Sequence, residues 1–400
     1  MTYEPAEDTY LLLNIIKTQL QKNSINKTIN ICEIGCGSGE IITTLAQEFP
    51  EHLYFATDIN PQAIEDTNQL AKEKNVQVEV KKGSFLHPFP NQQFDIILFN
   101  TPYLPCEEGE RFDKLNIEEK ALYGGTCGFE VTTQFIDSLH SYIHQNSQIY
   151  ILISTLTQQN IVEQCLKNNA FNFEIIVKQS QFFEELLVYQ ISPSPLLQHL
   201  VSKQYQDIQR FDKGRHSYIL QAQHPITHKK LMIKFGKSQH IEKEVKFLQK
   251  LQDTNYAPHI IEHSREYVIY EKIEGITIEE FFKRVNQQEY SMQEIEVVIN
   301  RCFAICFDLD IRGICKDELT HPNEHIFINP DQLEDIFFID FERSVFSNKR
   351  ANSTQFLQYI LRNSQILKIV GIKISRTQCI EVGKHIMRRN SPITLKDLTI

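Results

Sequence analysis

Four hundred residues exceed what one ordinary hydrophobic core holds, so two domains are expected. The 41% hydrophobic content includes no apolar run near ~18 residues, and Met1-Thr2-Tyr3-Glu4-Pro5 opens without a basic or apolar leader; neither a membrane span nor a signal peptide is expected. The net charge of −10 is unevenly spread: residues 1–190 hold 12 basic and 25 acidic side chains and the remainder is slightly basic, which argues against nucleic acid as the direct substrate of the first half.

Nine cysteines form no CxxC pair and no zinc-ligand spacing, which fits a reducing cytoplasm. Cys302 and Cys306, four apart in an apolar run, read as buried helix residues. An apolar helix starts at Tyr10, with Asp8 or Thr9 placed to cap it. A β-branched strand from Ile29 then runs into Glu33-x-Gly35-x-Gly37-x-Gly39 and a helix over 40–49. Glycines at such a turn let backbone pass close to a ligand, and the helix start favours an anionic group. The next strand, Leu53 to Thr57, ends at Asp58-Ile59-Asn60. Gly39 to Asp58 is close to the ~20-residue spacing at which an acid receives a ribose hydroxyl pair. An adenosine-containing cofactor is therefore expected. The GxGxG spacing, with Glu33 inside the strand end, leans away from a dinucleotide.

A third strand, Val76 to Val80, leads to Gly83-Ser84-Phe85. Ser84 is placed to bond an adenine amino group and Phe85 to cover its face; an ordinary strand-end turn is the other reading. Phe94 to Phe99 reads as a strand buried on both faces of a parallel sheet. It breaks into Asn100-Thr101-Pro102-Tyr103, where open α/β sheets do their chemistry. The Asn100 side-chain carbonyl and the Thr101 backbone carbonyl offer two acceptors for an NH₂ group, and Tyr103 a flat ring to lie against it. An amide nitrogen is a poor nucleophile, so aiming it is worth more than deprotonating it. A charged loop over 107–113 reads as a solvated lid. Strands at 147–154, 171–177 and 185–191, the last two forming a hairpin, complete an alternating α/β pattern.

Five segments follow in an order that resembles the HemK/PrmC-type S-adenosylmethionine-dependent glutamine methyltransferases. They are Tyr3-x-Pro5-x-Glu7-Asp8-Thr9, Glu33-x-Gly35-x-Gly37-x-Gly39, Asp58-Ile59-Asn60, Asn100-x-Pro102-Tyr103 and Tyr123-Gly-Gly-Thr-Cys-Gly-Phe-Glu130. The opening segment is similar to the short eukaryotic and archaeal branch, which modifies the GGQ glutamine of class-1 release factors in translation termination. The resemblance implies a Rossmann-like, seven-stranded class I methyltransferase domain over residues 1–191. It implies S-adenosyl-L-methionine held by Thr9, Glu33, Gly35, Gly37, Asp58, Ile59, Ser84, Phe85 and Asn100, with Asn100, Pro102 and Tyr103 at the glutamine. A small zinc-binding activator protein is the implied partner. The family's usual NPPY here reads NTPY, which removes one fixed φ angle. An N6-adenine DNA or RNA methyltransferase uses a near-identical tetrapeptide, because an adenine amine presents the same two N–H groups; that reading stays open.

Ser192-Pro-Ser-Pro195 marks an expected linker over 192–197. Residues 198–400 change pattern. A strand–turn–strand around Gly214, a strand presenting Lys234, an amphipathic helix offering Glu244 and a late strand ending in Asp340 resemble RIO-type and archaeal kinase-like proteins. An α+β protein-kinase-like domain is implied, with Lys234 paired to Glu244 and Asp340 as ligand of Mg²⁺ beside ATP. The expected catalytic loop is degraded. Glu318 and Asn323 fill the base and second metal positions in one register, Asp317 and His325 in another. The methyltransferase fold serving as a binding module for an active kinase half is the alternative of a different class.

Overall fold

The structure is a computed structural model that describes residues 4–22, 27–107, 111–181, 183–213 and 217–399. Tyr3 of the opening segment, residues 108–110 of the charged loop and Gly214 lie outside them. Apolar β-branched runs alternate with helices carrying one apolar stripe, and this alternation builds the first unit. In order it holds α1 (Glu7–Lys22), β1 (Asn30–Ile34), α2 (Glu40–Glu48), β2 (Leu53–Asp58), α3 (Pro61–Glu73), β3 (Glu79–Lys82) and β4 (Phe94–Asn100). Then come α4 (Glu130–Ser138), β5 (Ile143–Ser154), α5 (Gln159–Asn168), β6 (Phe171–Ser180), β7 (Glu185–Pro193), α6 (Pro195–Ser202) and β8 (Gln206–Lys213). Strand β9 (Ser217–Gln223) follows.

The seven strands lie in the order β3-β2-β1-β4-β5-β7-β6. Strands β1 to β5 pair in parallel, and β7 runs antiparallel between β5 and β6. The expected class I sheet with its terminal hairpin is what the structure shows. Register brings the site together: Ile34 lies opposite both Thr57 and Phe99, so β1, β2 and β4 end at one edge. Helix α1 buries Leu12, Leu13, Ile16 and Leu20 in one cluster with Ile41, Ile42 and Leu45 of α2 and Leu98 of β4. At roughly 1.5–3 kcal/mol per buried aliphatic side chain, this stripe fixes α1 and, with it, Asp8 and Thr9 in its first turn.

Two expectations shift. The third strand forms at Glu79–Lys82 rather than 76–80, because the edge strand pairs only where it meets β2, from Phe55–Glu79 to Asp58–Lys82. Residues 192–197 do not form a free linker. Ser192 and Pro193 finish β7, the Ser194 hydroxyl accepts from Leu197 N–H, and Pro195 opens α6, which buries Leu196, Leu197 and Leu200. The chain divides into two compact units later, one of Met1–Lys213 with Ile219–His228 and one of Gly214–Tyr218 with Lys229–Ile400.

The second unit contains β10 (Lys230–Gly236), α7 (Ser238–Lys250), β11 (Ile260–His263) and β12 (Tyr267–Glu271), with β12 antiparallel to both β10 and β11. A helical part follows: β13 (Ile276–Thr277), α8 (Ile278–Asn286), α9 (Met292–Ile311), β14 (Ile314–Cys315), β15 (Ile326–Ile328), β16 (Ile336–Phe338), β17 (Val345–Phe346) and α10 (Ala351–Arg362). Helices α11 (Ser364–Ile369) and α12 (Arg376–His385) come last. Cys302 and Cys306 are fully buried in α9, as their spacing predicts. Among the described residues no helix is long and apolar enough to cross a membrane.

Candidate functional site

The three strand ends open onto a cavity of about 310 Å³. It is lined by every residue that the sequence assigns to cofactor or substrate in this unit: Thr9, Glu33, Gly35, Gly37, Asp58, Ile59, Ser84, Phe85, Asn100, Pro102 and Tyr103. Gly39 closes the turn after β1 with φ +81°, and a Cβ there would sit 2.8 Å from the Thr67 side chain, so only glycine lets α3 approach.

Asp58 is held by backbone. Its Oδ2 accepts from Gly37 N–H at 3.0 Å and its Oδ1 from Asn60 N–H at 2.8 Å. A carboxylate has about four lone-pair sites, so accepting capacity remains for a hydroxyl group. Burial raises its pKa, an effect the backbone N–H groups partly offset. Glu33 is 4% exposed, and its Oε2 accepts from Ile42 N–H at 3.0 Å, bracing the start of α2. Burial pushes its pKa well above the carboxylate range, against that hydrogen bond. Phe85 has φ +50°, and its carbonyl accepts from the Thr57 hydroxyl at 2.7 Å; its ring stands 6.3 Å from Phe99 and 5.8 Å from Phe135.

A carboxyl whose folded pKa is raised weakens stability as pH climbs from its unfolded value toward the folded one. Glu33→Gln is therefore expected to raise the Tm of the first unit at pH 8, by about 2–4 °C per kcal/mol relieved. Calorimetry of parent and variant at pH 8 checks this.

Asn100 ends β4. Its Nδ2 donates to Asp8 Oδ2 at 3.0 Å, while its Oδ1 is buried and has no hydrogen-bond partner among the described residues. An unsatisfied buried acceptor costs about 1–3 kcal/mol, and this oxygen keeps the capacity to take a further donor. Asp8, 5% exposed, also accepts from Thr9 N–H at 2.7 Å. In the sequence Asp8 stands as a cap candidate and within the opening motif segment, with no partner assigned; its partner Asn100 lies 92 residues away.

Thr101 answers for the missing proline. Its N–H donates to the Leu152 carbonyl at 3.2 Å and its hydroxyl to the same oxygen at 2.8 Å, tying the peptide to β5. The segment after it is clamped by the glycine loop. A Cβ on Gly124 would lie 2.3 Å from the Pro102 carbonyl, and one on Gly128 2.6 Å from the Tyr103 carbonyl. Leu104 N–H donates to Leu122 O and Gly124 N–H to Leu104 O, while Glu130 folds back to accept from Cys127 and Phe129 N–H. Burial, with Glu184 and Asp8 nearby, raises the pKa of the Tyr103 hydroxyl, so it stays protonated and is no general base at neutral pH. Phe112 of the charged loop lines the same cavity, as do Ile117, Lys120 and Leu122 in the stretch that follows it.

In the second unit Lys234, 4% exposed, lies 3.2 Å from Glu244, 2.8 Å from Asp340 and 3.1 Å from Glu342. Phe341 N–H donates to the second oxygen of Glu244 at 3.1 Å, and buried Lys316 donates to the Asp340 carbonyl at 2.7 Å. Burial disfavours the Lys234 charge, but Glu244 and Asp340 outweigh it and raise the pKa well above the lysine range. Burial likewise opposes ionisation of Asp340, yet Lys234 and Lys316 bring its pKa down to about 2. Glu318, φ +74°, pairs with Arg343 and, at 3.2 Å, with His325, which stands 3.7 Å from Asp340. Asp317 is exposed. Asn323 takes no part in this network among the described residues. The sequence assigns no role to Lys316 or Glu342, which stand in the charged stretches Lys316-Asp317-Glu318 and Asp340-Phe341-Glu342-Arg343. The carboxylates of Glu244, Asp340 and Glu342 approach within 4.8 Å of one another, close enough to hold a metal ion, with the Lys234 ammonium among them.

Strand order, glycine turn, β2 acid and the Asn100 tetrapeptide together define a class I methyltransferase, a fold whose members use S-adenosylmethionine. Residues 25–250 match the family model of a methyltransferase domain. A Methanocaldococcus jannaschii protein described as a candidate protein N5-glutamine methyltransferase is 36% identical over 188 residues, 46% of this chain and 89% of its own length. Human methyltransferase HEMK2 is 32% identical over 41% of this chain and 76% of its own. The eRF1 methyltransferase catalytic subunit mtq2 of Schizosaccharomyces pombe is 27% identical over 47% of this chain and 88% of its own. Through its first unit the chain belongs to the HemK/PrmC-type glutamine methyltransferases.

Proposed function

We propose that the first unit transfers a methyl group from S-adenosylmethionine to the N5 nitrogen of a protein glutamine, the GGQ glutamine of a class-1 release factor. The observation that carries this reading is Asn100, which lines the cavity and whose buried Oδ1 has no hydrogen-bond partner among the described residues. When bound, S-adenosylmethionine supplies an electrophilic methyl group. The residues supply aim: Asn100 Oδ1 and the Thr101 carbonyl accept the two N–H bonds of the carboxamide, and Tyr103 covers its plane. Orientation of this kind can recover on the order of 7–11 kcal/mol of barrier. Asp58 receives the ribose, with Thr9, Ser84, Phe85 and Ile59 around the cofactor. A relative described as a catalytic subunit supports a second, activating subunit for this chain too.

The same amide clamp fits an adenine amine, and the assay separates the two. Labelled methyl is offered to a release factor and to an adenine-containing DNA or RNA oligomer in one tube. Label is expected on the protein alone; transfer to the oligomer at an equal or higher rate would establish the adenine reading instead.

A specific observation favours a second activity. Lys234, Glu244 and Asp340, far apart in sequence, meet as a phosphate-binding lysine, its carboxylate partner and a metal ligand would. We propose that the second unit is kinase-like and binds ATP with Mg²⁺, Glu318 standing at the base position. Titration with ATP and Mg²⁺ is expected to give saturable binding that Lys234→Met abolishes.

A further inference from the structure

We infer that Asp8 is a positioning residue that selects which end of the Asn100 carboxamide faces the substrate. The inference rests on the glutamine-methyltransferase reading of the cavity. A carboxamide has one accepting and two donating positions of nearly equal shape, so its flip is decided by neighbours alone. Among the described residues, Asp8 is the group bonded to the Asn100 carboxamide. Asp8 Oδ2 takes the Asn100 Nδ2 hydrogen at 3.0 Å, and a carboxylate can only accept; Oδ1 is therefore the end left for another donor, on a residue that lines the cavity. Asp8 is itself held, because its Oδ1 accepts from Thr9 N–H at 2.7 Å while α1 is locked by its buried leucine stripe. In the opposite flip, an NH₂ group would confront the substrate NH₂, donor against donor, with no acceptor to hold the nitrogen.

Substituting Asp8→Asn puts this to the test without changing shape. The new carboxamide must give its oxygen to Thr9 N–H, a backbone donor that cannot move. Its NH₂ then faces Asn100, which flips to accept it and turns its own NH₂ to the substrate. The expected loss in kcat is on the order of 10²–10³-fold, as for removal of one oriented partner in a closed site, with KM for the cofactor far less affected. The double variant Asp8→Asn/Asn100→Asp restores an oxygen at the cavity wall, and kcat is expected to recover at least tenfold over the single variant. A role for Asp8 as a mere helix cap predicts no such rescue.

The side-chain amide of Asn100 is followed by ¹⁵N–¹H NMR in the full chain with cofactor bound, which needs no turnover. The inference predicts a downfield proton on the carboxylate-bonded N–H that disappears in Asp8→Asn. Unchanged Asn100 resonances in that variant, or full kcat in an active enzyme, would overturn it. A wild-type protein that methylates no glutamine, yet shows the resonance change, would sink the substrate reading and leave the role of Asp8 standing.

Discussion

Replacing Asn100 with alanine is expected to lower methyl transfer by at least on the order of 10²–10³-fold, and single-turnover transfer of labelled methyl checks it. The loss has two parts. Substrate nitrogen loses the acceptor that aims its lone pair, and Asp8, buried at 5% exposure, loses a hydrogen-bond donor. The second part costs stability, about 1–3 kcal/mol, so cofactor binding and Tm must be read beside the rate. Asn100→Ala that still binds S-adenosylmethionine and melts within a few degrees of the parent, yet transfers nothing, isolates the first part. A rate within threefold of the parent would mean that the carboxamide does not hold the substrate.

Substituting Lys234 with methionine is expected to destabilise the second unit by about 3–5 kcal/mol, because an ammonium among three carboxylates would leave charges uncompensated. Glu244 and Glu342 are 1% and 6% exposed and cannot turn to water without opening the fold. The pH dependence follows from Asp340. Its folded pKa is depressed to about 2, so it contributes stability that is present above the unfolded value of ~3.9 and is lost as pH falls through that window toward 2. The gap between parent and variant should therefore be widest near neutrality and close in acid. Urea unfolding of the full chain at pH 7 and in the pH 2–4 range, followed by probes in each unit, measures this. A gap that widens in acid would contradict the assignment.

The methyltransferase half was legible because its signals are local. A β-branched strand ending in Glu33-x-Gly35-x-Gly37-x-Gly39 needs only its neighbours to form, and the strand ends at Asp58 and Asn100 follow from parallel pairing with β1. Asp8 was not legible as the partner of Asn100. Nothing in a helix-capping segment encodes a contact 92 residues away, and only the register of β4 beneath α1 creates it. The wall formed by Ile117 and Leu122 was hidden behind a charge-rich stretch that reads as solvent-facing. Thr101 shows a compensation that propensity misses: the fixed φ of proline is replaced by two hydrogen bonds to one carbonyl of β5. In the second unit the kinase-like resemblance implied the Lys234–Glu244 pair, and the structure adds Asp340 at 2.8 Å from Lys234. Of the two registers expected for the loop, the structure brings His325 of one beside Asp340 and Glu318 of the other against His325, while Asp317 is exposed.

The measurement closest to the heart of the account is a crystal structure of the chain with S-adenosylhomocysteine and a glutamine-bearing GGQ peptide. The glutamine nitrogen is predicted to lie about 2.7–3.2 Å from both Asn100 Oδ1 and the Thr101 carbonyl, with Tyr103 against the amide plane. A glutamine bound elsewhere, or Asn100 Oδ1 turned back onto the protein's own donors, would contradict it.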